Sequence, residues 1–371
     1  MRILILSNVP PGSVGGAEVQ ALHLARCWSA TGHKVTVAGY ANQPFFSDNL
    51  TVVRLSTLQG SRALRAVSYI TATLWLLWRR RSEYDLIYCR FLKEQTFVAS
   101  LAKYVFRLRQ PLIACPACAS TGGEAEYISG SRLKKIWIKL LGLGVTVINA
   151  MSRQIEQEIQ RLEIDNVRIS RIPNGVVLPG LNPSRHSVNP GLQILFVGRL
   201  VEQKGLDILL RAASLLKEKR QDFEIRIIGS GPLRSRLENQ VRELELDTRV
   251  NFVGAVKPDE VAAQLAGADL FVLPSRYEGF PGVLLEAIAY GLPAIATRVS
   301  GSEEIIDDSM GWLIPIDDAF ALASAIEEAL VLGHEKLGEM GDKARDKAVH
   351  NYDMNRVASD YLQLFEEVTE L

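Results

Sequence analysis

The sequence predicts an α/β protein made of two doubly wound domains, each a parallel sheet covered by helices on both faces. Three observations carry this. Short apolar runs alternate with amphipathic segments through the first 170 residues, and the same alternation restarts near residue 192. Between them lies a stretch rich in Pro, Gly, Asn and Ser. The length, 371 residues, exceeds the roughly 250–300 at which single cores stop growing.

In chain order, RILILS (2–7) reads as a strand, because its apolar run feeds directly into a Gly-rich loop. AEVQALHLARCWSATG (17–32) has helical spacing and is closed by Gly32. KVTVAGY (34–40), YDLIYCR (84–90), PLIACPA (111–117) and VTVINAMS (145–152) continue the strand series, with helical patterns between. Strands buried on both faces read as such near-continuous apolar runs. RIPNGVVLPGLNPSRHSVNPG (171–191) is expected to be a surface linker. Beyond it, strands are expected at 192–200, 223–232, 250–256, 269–275, 293–299 and 310–315, and helices from Gly205 to Lys219, at 232–246, at 258–267 and from Gly282. From Asp317 to Leu371 the pattern is helical. The expected divisions are 1–171, 172–350 and a last helix, 351–371.

A net charge of zero conceals an asymmetry: residues 1–170 hold 21 Lys+Arg against 11 Asp+Glu, and residues 171–371 hold 21 against 31. A positive first half suits an acidic or membrane-surface partner. Nucleic acid is not expected, since no basic stretch is interleaved with a reading module. The N-terminus has too short an apolar run for a signal peptide, and a cytoplasmic location is expected. AVSYITATLWLLW (66–78) is shorter than the roughly 17–25 residues of a spanning helix, so it reads as packed on the core or lying at a membrane surface, the core being the simpler choice. Cys115 and Cys118 have redox dithiol spacing, but small buried residues explain them as well.

Chemistry concentrates at strand ends. NVPPGSVGGAE (8–18) can bring backbone N–H groups and a helix N-terminus to an anion, without the spacing of a dinucleotide fingerprint, which argues against an NAD-dependent dehydrogenase. GRLVEQKG (198–205) offers Arg199 and Lys204, two cations suited to a diphosphate. IGSGP (228–232) permits close packing of a flat base or ribose. In SRYEGFPGVLLEA (275–287), Glu278 lies before a short helix and Glu286 in its first turns, while the amides of Gly282, Val283 and Leu284 are expected to be unpaired. A carboxylate accepting two vicinal hydroxyls is a natural sugar or ribose clamp.

These motifs, GGAE (15–18), IPNGV (172–176), GRLVEQKG, IGSGP, PSRYEGFPGVLLEA and PAIAT (293–297), appear in an order that resembles the retaining nucleotide-sugar glycosyltransferases of family 4. That resemblance spans nearly the whole chain and implies the GT-B fold: two facing Rossmann-like domains, with a C-terminal helix crossing back to the N-terminal domain. It implies an acceptor-binding first domain and a donor-binding second one. Arg199 and Lys204 would hold the donor diphosphate, Glu286 the ribose, and Glu278 the hydroxyls of the transferred sugar. Gly15, Gly16, Gly198, Gly229, Gly279, Phe280, Gly282, Val283 and Leu284 would complete the donor site. The family implies no cofactor and no metal, since the two cations do the charge work, and transfer of a hexosyl-type sugar with retention by same-face attack.

One departure concerns the acceptor side. Many relatives carry a His at the end of the strand that here reads PLIACPACASTGGE, and no His occurs between His33 and His186. Ser120, Thr121 or Glu124 would have to serve there, although Glu124 also reads as a solvated surface residue. The acceptor is expected to be a sugar, glycolipid or small molecule. SRLKKIWIKLLG (131–142) and RALRAVSYITATLWLLWRRR (62–81) could lie on an anionic membrane or simply pack on the sheet with snorkelling cations. A nucleotide-sugar epimerase of the same fold, or a non-catalytic nucleotide-sugar-binding subunit, are the alternatives.

Overall fold

The structure, a computed structural model, describes residues 1–11, 15–58, 60–180, 191–217, 220 and 222–370. Gly12 of the first Gly-rich loop, Lys219 at an expected helix end and residues 181–190 of the linker lie outside the described residues. The chain divides into two compact units, Met1–Gly175 with Met354–Leu371, and Val176–Asp353.

The first unit holds β1 (Arg2–Leu6), β2 (Lys34–Gly39), β3 (Phe45–Phe46), β4 (Leu50–Arg54), β5 (Leu86–Arg90), β6 (Leu112–Cys115), β7 (Val147–Asn149) and β8 (Arg168–Ser170), in the spatial order β3-β4-β2-β1-β5-β6-β7-β8. All neighbours are parallel except β3 and β4. Strands β3, β4 and β8 went unread in the sequence: β3 and β8 are edge strands of two and three residues, and β4, LTVVR, has no continuous apolar run longer than two. Right-handed crossovers put the helix Gly16–Ala30, leading from β1 to β2, on one face of the sheet. Helices Arg62–Arg79, Glu94–Phe106 and Lys134–Gly144 lead the opposite way along the sheet and occupy the other face.

The helix Met354–Thr369 returns to the first unit and packs on Gly16–Ala30. Trp28, fully buried, joins them: its indole N–H donates to the Ala358 carbonyl at 3.0 Å, and its ring meets Tyr88, Tyr361 and Phe365 edge-on. Edge-to-face pairs of this kind add about 0.5–1.5 kcal/mol each beyond their burial.

The helix Arg62–Arg79 corrects the simpler reading of 66–78. Leu76 and Leu77 do pack inward, but Leu64, Val67, Trp75 and Trp78 are exposed. No helix among the described residues is long and apolar enough to cross a membrane.

The second unit holds β9 (Leu192–Val197), β10 (Phe223–Ile228), β11 (Val250–Gly254), β12 (Leu270–Leu273), β13 (Ala294–Thr297) and β14 (Gly311–Ile314), all parallel, in the order β11-β10-β9-β12-β13-β14. The order reverses between β9 and β12, where a doubly wound sheet leaves room for a ligand beyond its strand ends. The unit begins at Val176 rather than 172 for a visible reason: side chains of the first unit hold the linker's opening residues. The Asn149 amide brackets Ile172 (both contacts 2.8 Å), Arg90 reaches Asn174 Oδ1 at 2.8 Å, and the Gln20 amide binds the Gly175 carbonyl at 2.6 Å.

Candidate active site

Two loops leave the strands that flank the reversal of the second sheet, residues 198–205 after β9 and 274–281 after β12. They touch backbone to backbone. Gly205 lies at φ 62°, and a Cβ there would meet the carbonyl carbon of Pro274 at 3.0 Å. Arg276 N–H donates to the Gln203 carbonyl at 2.7 Å, and the Gln203 side chain donates to the Tyr277 carbonyl at 2.9 Å. The two loops therefore form one surface.

On that surface Lys204 and Glu278 form an ion pair, Nζ to Oε1 at 2.5 Å, with side chains 12% and 9% exposed. Ser275 Oγ donates to the same carboxylate oxygen at 2.7 Å, and the Thr297 hydroxyl donates to the Ser275 carbonyl at 2.5 Å. Sequence reasoning gave these two residues separate partners; the structure joins them. The ammonium keeps two further N–H donors and the carboxylate a second oxygen, so the pair can meet an anion and a hydroxyl together. Arg199 is exposed at the start of its loop.

The helix Gly282–Ala289 carries Glu286 in its second turn. Burial pushes the Glu286 pKa up to about 7. Among the described residues its carboxyl group has no hydrogen-bond or ion-pair partner. It is a half-buried polar group that no described residue satisfies. The amides of Gly282 and Val283 are likewise unpaired among the described residues. The amide of Leu284 corrects the expectation: it donates to the Pro281 carbonyl at 3.2 Å, because the helix opens with a tight first turn. Gly279 is held through its carbonyl by the Ser300 hydroxyl at 2.8 Å, and Gly301, at φ 76°, lies against the Phe280 backbone.

Gly198 and Gly229 have a packing explanation of their own. Gly229 sits at φ 137°, where a Cβ would come within 2.9 Å of the Gly198 carbonyl carbon. The absence of a side chain at Gly229 lets the β10 loop meet the β9 loop at Gly198, whereas a Cβ at Gly198 would press on the Phe196 ring at 3.1 Å.

Arg276 is the residue that sequence reasoning missed. It bonds Asp207 at 3.0 and 2.8 Å, the Glu202 carbonyl at 2.6 Å and Asp317 at 2.8 Å, locking both loops to the helix Leu206–Leu216. Burial alone would raise the Asp207 pKa, but the Arg276 hydrogen bonds and charge together hold it below the usual carboxylate range. An Arg two residues before Glu278 and an Asp three after Lys204 were the signal.

In the first unit, Gly15 caps the helix Gly16–Ala30 in extended conformation, with the Glu18 side chain folded against it, and Gly16 faces open space. Ser120 accepts a hydrogen bond from Gln154 at 2.7 Å, and Thr121 is exposed. Glu124 is not the solvated surface residue its position suggested. It is 1% exposed, and its two oxygens accept the Ala117 and Cys118 amides at 2.9 and 3.1 Å. Glu124 thereby pins residues 117–118. Cys115 and Cys118 are not joined in a disulfide, and Cys115 is buried within 3.2 Å of Arg90. Among the described residues, no three His, Cys, Asp or Glu side chains gather as a metal site.

Two parallel doubly wound units, with the last helix returned to the first, define the GT-B class of glycosyltransferase folds. HepE of Anabaena, solved in complex with UDP, superposes over 99% of this chain and 100% of its own at TM-score 0.76 and 18% identity, a likeness of fold. The family description Glycosyltransferase Family 4 matches residues 14–178, and Glycosyl transferases group 1 matches residues 184–347. The chain belongs to the family 4 type of glycosyltransferases. WcaL of Escherichia coli, named for colanic acid biosynthesis, is 34% identical over 209 residues, 54% of this chain. The match spans about half (51%) of that curated relative's length. The phosphatidyl-myo-inositol mannosyltransferase of Mycobacterium leprae is 26% identical over 381 residues, covering 99% of this chain and 97% of its own.

Proposed function

We propose that this chain is a retaining glycosyltransferase that moves a hexosyl-type sugar from a nucleotide diphosphate sugar to an acceptor in polysaccharide or glycolipid assembly, without a metal ion. The observation that carries the reading is the buried Lys204–Glu278 pair at the reversal of the second sheet, with the Glu286 carboxyl group, unpartnered among the described residues, on the helix that follows the same loop. Arg199 and Lys204 neutralise the diphosphate and stabilise it as it leaves. Glu286 accepts the ribose hydroxyls, and Glu278 those of the sugar. The acceptor oxygen bonds the anomeric carbon on the face from which the phosphate oxygen departs, and the acceptor proton passes to that phosphate. This leaves no step that needs the His absent from the β6 end. UDP in the HepE complex and the lipid acceptor in the Mycobacterium leprae protein's name support a nucleotide donor and a glycolipid acceptor.

The test is a thermal-shift and hydrolysis screen against UDP-, GDP-, ADP- and dTDP-sugars in chelator, with Glu286→Ala and Lys204→Ala alongside. One donor should stabilise the wild type and neither variant, and should be slowly hydrolysed. Silence with every donor would point to a binding subunit instead, and release of an epimerised sugar nucleotide to an epimerase.

A further inference from the structure

Seven residues other than glycine lie at positive φ among the described residues, and five have an ordinary reason. Arg107, Glu163 and Glu245 follow the ends of helices, where a left-handed residue is common. Asn166 and Asp317 have short polar side chains that tolerate this backbone. Phe91 at φ 82° and Ser120 at φ 58° have neither reason. A bulky aromatic residue in this region is strained.

Both residues stand at the carboxyl ends of neighbouring strands, Phe91 directly after β5 and Ser120 in the loop after β6. The first sheet has its own reversal of order, between β1 and β5, and a doubly wound sheet takes ligands outside its strand ends there. Each strained backbone is fixed from several sides. The Phe91 N–H donates to the Cys115 carbonyl at 2.9 Å, which ties the two loops together, and the Phe91 carbonyl accepts the buried Thr96 hydroxyl at 2.7 Å. The Ser120 N–H donates to Glu158 Oε1 at 3.0 Å, its carbonyl accepts the Gly123 N–H at 2.7 Å, and its Oγ accepts the Gln154 amide at 2.7 Å. Backbone held this way against its preference collects at ligand sites. Three groups are left over among the described residues. The half-buried Phe91 ring pairs with no other aromatic ring, the Ser120 hydroxyl donates to nothing, and Glu158 Oε2 accepts nothing.

We propose that Phe91, Ser120 and Glu158 form the subsite that selects the acceptor, and that its occupant is a neutral pyranose ring lying on the Phe91 face with its hydroxyls meeting Ser120 and Glu158. A pyranose presents C–H groups on its faces and hydroxyls round its rim, so it asks for one apolar platform and polar partners at the edge. Strands β5 and β6 and the helix Arg153–Gln160 that follows β7 supply one group each. The cation next to the platform does not mark an anion site. Burial raises the Glu124 pKa and Lys93 opposes that rise, so the Lys93 charge is already answered by a carboxylate. That this sugar is the acceptor rests on the transfer reaction proposed above; that it binds does not.

The test titrates the full chain, without nucleotide, with the methyl glycosides of glucose, galactose and mannose and with sorbitol, read by saturation-transfer NMR. At least one glycoside should bind through its ring protons. Sorbitol, which has the hydroxyls but no ring face, should bind much more weakly. Covering the half-buried Phe91 recovers about half of a phenylalanine's burial energy, so F91G should lose about tenfold in glycoside affinity. It should still melt within a few degrees of wild type, because glycine adopts φ 82° freely and that relief offsets the lost contacts. S120G, relieved in the same way, should also bind more weakly. Binding of none of the glycosides, equal binding of sorbitol, or undiminished binding by F91G would overturn the proposal. If F91G fails to fold, S120G and the sorbitol comparison decide it. Failure here leaves the nucleotide-sugar screen of the wild type standing, and silence in that screen leaves the glycoside result standing, so the two readings fall separately.

Discussion

Replacing Glu286 by Gln tests the electrostatics of the candidate site directly. Burial raises the Glu286 pKa from the ordinary 4.5 to about 7. The folded chain therefore binds this proton more tightly than the unfolded chain does. The associated stability is fully present below about 4.5 and is lost as pH rises through 7. That rise corresponds to at most about 3 kcal/mol, the side chain being half-buried rather than enclosed. A glutamine amide cannot ionise, so Glu286→Gln should resist urea better than wild type at pH 8, and the advantage should shrink steadily toward pH 5. Urea unfolding by circular dichroism at half-unit pH intervals measures the gap. A donor whose hydroxyls need the carboxylate should also bind about tenfold more weakly for each pH unit below 7 and at constant affinity above it. A gap that stays flat between pH 5 and 8 would refute the assignment of a burial-raised carboxyl group.

Lys204→Ala strands the buried Glu278 carboxylate and should cost about 3–5 kcal/mol of stability as well as donor binding. Arg199→Ala, at an exposed position, should change stability by under about 0.5 kcal/mol yet still weaken donor binding, so melting and titration together separate the two cations. Arg276→Leu removes the cation from Asp207 and should cost about 2–3 kcal/mol near neutral pH. Because the Asp207 pKa lies low in the folded state, that difference should narrow as pH falls below about 4, which acid titration of both proteins checks. Gly229→Ala forces a Cβ against the Gly198 backbone at φ 137° and should lower stability by about 2 kcal/mol or more, seen as a fall in the urea midpoint.

The alternation of apolar and amphipathic runs was enough to place most strands and helices of both sheets, because burial on two faces writes itself locally into sequence. Strand-end glycines and cations were legible for the same reason: Gly15, Gly198, Arg199, Lys204 and Gly229 all lie in short loops next to those runs. Glu286 could be assigned to the first turns of a helix from the Pro281–Gly282 break. Glu124 was misread, since nothing in its neighbours says that two backbone amides will turn toward it. The short edge strands and the outward tryptophans of Arg62–Arg79 also escaped, as spacing reveals a stripe but not which side of it meets the sheet.

Composition, spacing and strand-end chemistry thus settle by themselves that the chain is a two-unit parallel α/β protein with cations and carboxylates at the ends of its strands. Tertiary structure alone decides which of those groups meet. Lys204 and Glu278 stand 74 residues apart, and they pair because β9 and β12 lie side by side. Arg276 finds Asp207 across the same boundary, 69 residues away. Adjacency of strands is set by how the crossovers wind, a property of the whole sheet that no local run of residues contains.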